Sequence, residues 1–366
     1  MELYRMLTMN IRHTIYTICQ SIKTMAIGSL LCLAVQSCRQ ETHPLIPEGP
    51  EEVPISMNAT SVEAMETSRA LIEKDSHLQD AGFTLYGYKT TVANGITQLF
   101  TGQGVTYDAT KTTWDYAPKR YWDRTATYNF GAYAPTTLPD NLIVAHNENK
   151  HTLTFTLPNW QVVNDGATDL VVATSSDEAT NYLETYSGTV GLAFDHVLSC
   201  FEVQLKKAES LVNTYTLCDL TYNNVPKDEK SSTYTLDYAT ASKSTMGTVT
   251  LESKAVCSNA KLPVGTGMQE SPAVTFSHLL VPFTGSDKVT ISVTYIAGLD
   301  AVDDGHSFRY TRDITTDLTQ MQAGKKYVLT LTFTGGGEIV PKLSVADWSI
   351  AKWNDQDIEE EDKYNW

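Results

Sequence analysis

The chain has 366 residues, 42% of them hydrophobic, with 27 Lys+Arg against 43 Asp+Glu and a formal net charge of −16. That charge excludes a basic nucleic-acid binder, because a polyanion is repelled and not drawn in by released counterions. The length suits about two domains with packed cores. Tyr (19) outnumbers Phe (10) and only 19% of residues are charged, which together with abundant Thr favours a β-rich chain with hydroxyls on its outer faces.

Arg5, Arg12 and Lys23 precede an apolar stretch from Met25 to Val35, too short to span a bilayer and placed like the h-region of a signal peptide. The stretch runs into Val35-Gln36-Ser37-Cys38. A small residue directly before a Cys at that point is the layout of a bacterial lipoprotein signal, which makes residues 1–37 a signal peptide and Cys38 an acylated, palmitate-bearing N-terminus. Val35 and Gln36 depart from the usual Leu and small residue of that signal. Ordinary secretion with an unmodified Cys38 is the alternative, and Met9 and Met25 are alternative starts. Without residues 1–37 the chain carries 24 Lys+Arg against 42 Asp+Glu, a net of −18.

Cys200, Cys218 and Cys257 then remain besides Cys38, so at most one disulfide forms within the chain. Cys200 lies in the apolar run 197–201 and reads as a small buried hydrophobe. The absence of a CxxC pair gives zinc and redox chemistry no support.

Residues 38–69 hold four Pro and six Glu and read as an extended propeptide or tether, with one strand near Val53–Met57 in which Val53, Ile55 and Met57 alternate. Asp75-Ser76-His77-Leu78 reads as a short capped turn and Gly82–Tyr88 as a strand. Strand signals then recur at 105–107, 114–116, 128–133, 151–157 and 170–173. They return at 190–203, 215–220, 234–238, 247–251, 273–281, 288–296, 308–312 and 327–333. No stretch sustains a helical period, and this succession is the signature of antiparallel sandwiches, two of them at this length. The polar stretch 175–187 places the boundary near residue 188, giving domains at 70–188 and 189–366.

The run Trp114-Asp115-Tyr116-Ala117-Pro118-Lys119-Arg120-Tyr121-Trp122, followed by Tyr128-Asn129-Phe130-Gly131-Ala132-Tyr133-Ala134-Pro135, resembles the aromatic hallmark of the fimbrillin family, the subunits of type V pili. Supporting pieces are Gly82–Tyr88, Thr168–Ala173, Leu192–Leu198, Gly324–Leu331 and the closing Val345-Ala346-Asp347-Trp348. The resemblance covers nearly everything after Cys38. It implies an all-β fold of two transthyretin-like antiparallel β-sandwich domains in tandem, a lipoprotein precursor bound to the outer membrane through Cys38, and a mature extracellular fimbrium. It also gives weight to Arg69, otherwise an ordinary linker charge. Family precursors carry an Arg before the first domain, where an Arg-specific protease cuts and removes the first strand, and the Arg69-Ala70 bond occupies that place. A sheet that loses a strand leaves unpaired N–H and C=O groups beside an apolar groove, which another subunit's strand can complete. The form starting at Ala70 has 297 residues and a net charge of −14, read as solubility for a surface protein.

For the donor, Ile339, Val340, Leu343 and Val345 follow the flexible Gly335-Gly336-Gly337 joint, and the same residues serve equally as the last strand of the second domain. The tail 354–366 is acidic and reads as solvated.

The sequence carries no HExxH, GxSxG, P-loop or GxGxxG after a strand, so no enzyme, cofactor or metal is expected. Asp195-His196 reads as a core or strand-edge histidine, and the acidic loop 298–306 as a hairpin turn, since EF-hand spacing is absent. Three functions remain: a pilus subunit serving cell adhesion, a lipid-retaining pilus anchor or accessory protein, and a surface glycan-binding module stacking sugars on Trp114 and Trp122.

Overall fold

The computed structural model describes residues 52–60, 71–72, 74–162, 167–178, 183, 188–208, 211, 214–226, 232–240, 242–243, 251–255, 261–262, 274–298, 308–334 and 338–347. Cys38, Arg69, Ala70, Cys257, the acidic loop 298–306 apart from Gly298, Trp348 and the tail lie outside the described residues. In chain order the first elements are β1 (Ser56–Thr60), α1 (Asp75–Ala81), β2 (Phe83–Thr91), β3 (Gly95–Asp108), β4 (Thr113–Asp115), β5 (Ala126–Ala134), β6 (Ile143–Asn147), β7 (Thr152–Leu157) and β8 (Trp160–Val162). Then come β9 (Val171–Glu178), β10 (Thr189–Ala193), β11 (Asp195–His196), β12 (Ser199–Lys207), β13 (Thr214–Pro226), β14 (Ser232–Asp237), β15 (Ser242–Lys243) and β16 (Leu251–Ala255). The last are β17 (Lys261–Leu262), β18 (Val274–Leu280), β19 (Phe283–Thr284), β20 (Thr290–Gly298), β21 (Phe308–Thr315), β22 (Gln320–Met321), β23 (Lys325–Phe333) and β24 (Ile339–Asp347).

A six-stranded sheet, in the order β11-β9-β5-β2-β3-β4, forms the middle of the first half. β2 and β5 are rich in aromatic and β-branched residues, and nearly all of β2 is buried on both faces, as expected of a strand covered from two sides. On one face Phe83, Leu85, Phe130 and Ala132 pack with Ile55 and with Met57, Val190 and Leu192 from the β1–β10 pair. On the other, Tyr86, Tyr88 and Tyr133 meet Leu153, Phe155, Tyr234, Leu236 and Tyr238 from a sheet ordered β15-β14-β7-β6. Gly131 is required there by close approach: a Cβ at that position would lie 2.7 Å from Tyr238 Cβ.

The second half is built on two facing sheets, β24-β23-β12-β18-β8 and β16-β13-β20-β21. Phe201 and Val203 of β12, Leu217 and Tyr222 of β13, Val293 and Tyr295 of β20, and Leu329 and Leu331 of β23 fill the space between them. The alternating burial of β20 and β23 is that of strands with one face on a core. β13 carries a bulge between Leu217 and Asp219 against β20. Cys200 is buried on the opposite face of β12, with Leu198 and Leu279, and Cys218 is half-buried in β13.

The nearly all-β expectation holds, and most strand pairs are antiparallel. Two pairs depart from it: β1 runs parallel to β10, and β12 parallel to β23. The capped turn at 75–78 is the start of α1, whose first-turn boundary residue Lys74 makes no side-chain cap bond. The chain also crosses the boundary placed near residue 188 in both directions. β14 completes the β7 sheet, β8 joins β18, β11 pairs with β9, and Val190, Leu192 and Phe194 lie in the first core.

Candidate functional site: a slot that holds the first strand

β1 occupies a slot between two unlike walls. On one side it pairs with β10 over five positions, from Ser56↔Thr189 to Thr60↔Ala193, and the Ser56 N–H donates to Gly188 O at 3.0 Å. On the other side stands the aromatic block. The Ile55 N–H donates to Arg120 O at 2.8 Å, and the Trp122 N–H to Val53 O at 3.0 Å. The Tyr116 hydroxyl donates to Ile55 O at 2.7 Å, and Trp114 Nε1 donates to Ala59 O at 3.3 Å. Trp122 Nε1 reaches across to Gly188 O at 2.9 Å, tying the block to the residue that starts β10.

The sequence dictates these positions. Trp114 and Tyr116 flank Asp115 at the end of β4 and so share one face, on the period of two that a strand imposes. Their rings enter the first core: Trp114 lies 4.9 Å from Phe83 and Tyr116 lies 5.3 Å from Phe100, centroid to centroid. Trp122 meets Tyr128 edge to face at 4.6 Å. A buried indole N–H or phenol O–H needs a partner, and here the partners are carbonyls of β1 and Gly188. Burial raises the Tyr116 hydroxyl above its ordinary value, so it keeps the proton it donates. Gly188 has φ +58°, and a Cβ there would lie 3.0 Å from Trp122 Nε1 and 3.1 Å from Val53 Cγ1; the turn into β10 therefore needs glycine.

Inside the slot, Ile55, Met57 and Ala59 are 1%, 5% and 7% exposed, and Val53 packs partly buried beside them. This is the alternation the sequence shows, extended by one step to Ala59. Beyond Trp122 the turn is fixed by Asp123, which bonds Lys89 Nζ at 2.9 Å and takes the N–H and hydroxyl of Thr125. The bond from Lys89, then those from Thr125, lower its carboxyl to about 2.

The other aromatic positions divide. Tyr128 and Phe130 are wholly buried beneath the slot, whereas Tyr133 faces the opposite side of the six-stranded sheet, 5.5 Å from Phe155. Tyr121 is 43% exposed, while Trp114 and Trp122 are 7% and 8% exposed. Buried indoles offer no face to a sugar, which removes the geometric basis for glycan stacking on them. Ile339, Val340, Leu343 and Val345 lie in β24, an edge strand paired along its whole length with β23; Val340 and Val345 are each 52% exposed.

His196 meets Asp169. The two side chains are fully buried, with Nδ1 3.0 Å from Asp169 Oδ1, and Asp169 Oδ2 accepts the Ile72 N–H at 2.9 Å. Asp169 thus anchors the chain three residues after Arg69, a role the sequence did not signal. Nor did it signal Gly188 or the Arg120 carbonyl. The polar-tipped aromatics Trp114, Tyr116 and Trp122 were the available sign that something backbone-like lay against them. Among the described residues no helix is long and apolar enough to cross a membrane.

The family model described as "Fimbrillin-like" matches residues 68–348. A fimbrial protein from Bacteroides vulgatus has a similar solved structure, with a TM-score of 0.53, 15% identity, and coverage of 81% of this chain and 99% of that one. A candidate cell adhesion protein from Bacteroides uniformis gives a TM-score of 0.48 at 15% identity, covering 82% of this chain and 100% of that one. The tip fimbrial protein Mfa3 from Porphyromonas gingivalis, truncated at its C-terminus, gives 0.35 at 9% identity, covering 81% and 100%. No curated protein matches by sequence.

Proposed function

The chain belongs to the fimbrillin-like family, and from that premise we propose that it is a structural subunit of a type V pilus serving cell adhesion. In this reading it is exported as a lipoprotein acylated at Cys38, held in the outer membrane, cut after Arg69 by an Arg-specific protease, and assembled with other subunits by donor-strand exchange. The observation that supports it best is the place of β1. This strand, with Ile55 just before it, lies upstream of Arg69 and contributes Ile55, Met57 and Ala59 to the first core, yet its outer edge is held by side-chain tips and two backbone hydrogen bonds near its start. Removing it opens a groove with unpaired β10 backbone on one side and the aromatic block on the other. Downstream of the cut, Leu71 and Ile72 are buried and the Ile72 N–H is bound by Asp169, so the domain keeps its own anchor when the segment leaves. The 339–345 stretch of β24 is the proposed donor.

The test is incubation of the full chain with an Arg-specific protease. A new N-terminus at Ala70 together with SDS-resistant ladders is expected, and both should disappear in Arg69→Ala. Ladders formed equally by Arg69→Ala would end the cleavage mechanism. Recovery of the cell-surface protein with acylated Cys38 intact would make it the pilus anchor instead.

A further inference from the structure

In an extended strand the N–H and C=O of one residue point to the same side, and alternate residues point to opposite sides. Ser56, Asn58 and Thr60 therefore turn their backbone groups to β10, and Ile55, Met57 and Ala59 turn theirs to the aromatic block. There Ile55 uses both groups, giving its N–H to Arg120 O and taking the Tyr116 hydroxyl on its carbonyl. Ala59 uses its carbonyl, which accepts from Trp114 Nε1. Among the described residues no hydrogen bond engages the Met57 N–H on that side. After one antiparallel bridge at Pro54↔Tyr121, the edge that elsewhere would be a neighbouring strand is met by the side-chain donors of Tyr116 and Trp114.

We infer that this edge reads main chain in one fixed register: an N–H and a carbonyl at position 55, a carbonyl at position 59, and nothing from the N–H at position 57. Position 57 is thus the place on this edge where a proline fits, since proline lacks only the N–H. The 339–343 segment of this chain meets that rule and also fills the Ile55 pocket in a single alignment, Ile339 at position 55, Pro341 at 57 and Leu343 at 59. Sliding it two residues one way brings Pro341 to position 55, where Arg120 O loses its donor. Sliding it the other way brings Gly337 to position 55, leaving the 1% exposed Ile55 pocket unfilled. A cleft of about 610 Å³ lined by Met57, Ala59, Tyr107 and Trp114 adjoins position 59, so a side chain longer than alanine has space there. The occupant this register fits is the 339–343 strand of a second copy, running parallel to β10. That identification rests on the strand-exchange reading; the register rule does not.

The rule is tested by grafting within the full chain, with no cleavage or assembly. The aligned graft is Ser56→Val, Met57→Pro, Asn58→Lys and Ala59→Leu. The displaced graft is Ile55→Pro, Ser56→Lys, Met57→Leu, Asn58→Ser and Ala59→Val. Hydrogen exchange over residues 54–60 is the readout, with β2 and β5 as the internal reference. The aligned graft should exchange within about threefold of the parent and the displaced graft about tenfold faster or more, while Tyr116→Phe, losing the bond to Ile55 O and the weaker one from the Arg120 N–H, should speed exchange about fivefold or more. If either graft unfolds β2 and β5 as well, the single substitutions Met57→Pro and Ile55→Pro take their place with the same expected order. Equal protection in the aligned and displaced chains, loss of protection in the aligned one alone, or no change in Tyr116→Phe would overturn the rule. Obedience to the rule in a chain that forms no ladders after cleavage would refute the pilus reading and leave the register standing.

Discussion

β1 and β24 are both terminal strands, and they are held in opposite ways. β24 pairs with β23 over nine consecutive positions, from Lys325↔Asp347 to Phe333↔Ile339, but buries little: Ile339 and Leu343 are half-buried and Val340 and Val345 are exposed. β1 makes a ladder of five with β10 and, with Ile55 just before it, puts three apolar side chains almost wholly inside the core. One strand is retained chiefly by main-chain bonds, each worth about 1 kcal/mol net. The other is retained chiefly by apolar burial, worth about 1.5–3 kcal/mol per large side chain. A strand of the second kind leaves behind a groove that is expensive to expose; a strand of the first kind leaves behind mainly an edge. The asymmetry suits β1 to be the strand replaced and β24 to be the strand that moves.

Five substitutions or conditions bear on that contrast. Trp122→Ala removes the ring packed on Tyr128 and the bond to Gly188, and should cost about 3–5 kcal/mol in urea unfolding. Ile55→Ala should cost about 2–4 kcal/mol by the same measurement, whereas Val345→Ala in β24 should stay within about 0.5 kcal/mol. Similar losses at Ile55 and Val345 would erase the distinction between the two strands. Tyr116→Phe keeps the ring and deletes the donor to Ile55 O, for an expected loss of about 1 kcal/mol. The smallest effect is acid dependence at the turn after Trp122. Asp123 has a folded value lowered to about 2, so its contribution is fully present above the ordinary value of 3.8 and is lost as pH falls from there toward 2. Asp123→Asn should flatten stability over that window and leave the slope above it unchanged.

Much of the fold was legible because alternation is a local property. β7, β20 and β23 announce themselves by residues such as Leu153, Phe155, Ile291, Val293, Leu329 and Leu331, each buried as the period of two requires. β6 was missed because its alternation, Ile143-Val144-Ala145-His146-Asn147, is mostly exposed. The first part of β3 was missed because Gly95, Gly102 and Gly104 interrupt it. Partners were harder to see than strands. Nothing in Ser232–Asp237 says that it pairs with Thr152–Leu157, since a half-buried strand fits any sheet of matching pleat. The slot was legible in part: alternation marked Ile55 and Met57, and the family resemblance marked the aromatic block. That the block's polar tips close on β1 became visible only with the chain folded, because the bonds from Trp114 to Ala59 and Tyr116 to Ile55 span 55 and 61 residues.

The crossing of β14 into the first sheet system sets an order of events. Tyr86, Tyr88 and Tyr133 stay open to solvent until Tyr234, Leu236 and Tyr238 are present to cover them, and β12 waits for β23, its parallel partner about 126 residues later. Contacts of such separation must close long loops before they return any stabilisation, which slows folding. A chain emerging N-terminus first therefore lacks a complete core until well past residue 238, and full closure requires nearly all of it. In the export proposed for this chain, such a delay would keep the polypeptide threadable through a translocation pore and postpone folding to the far side.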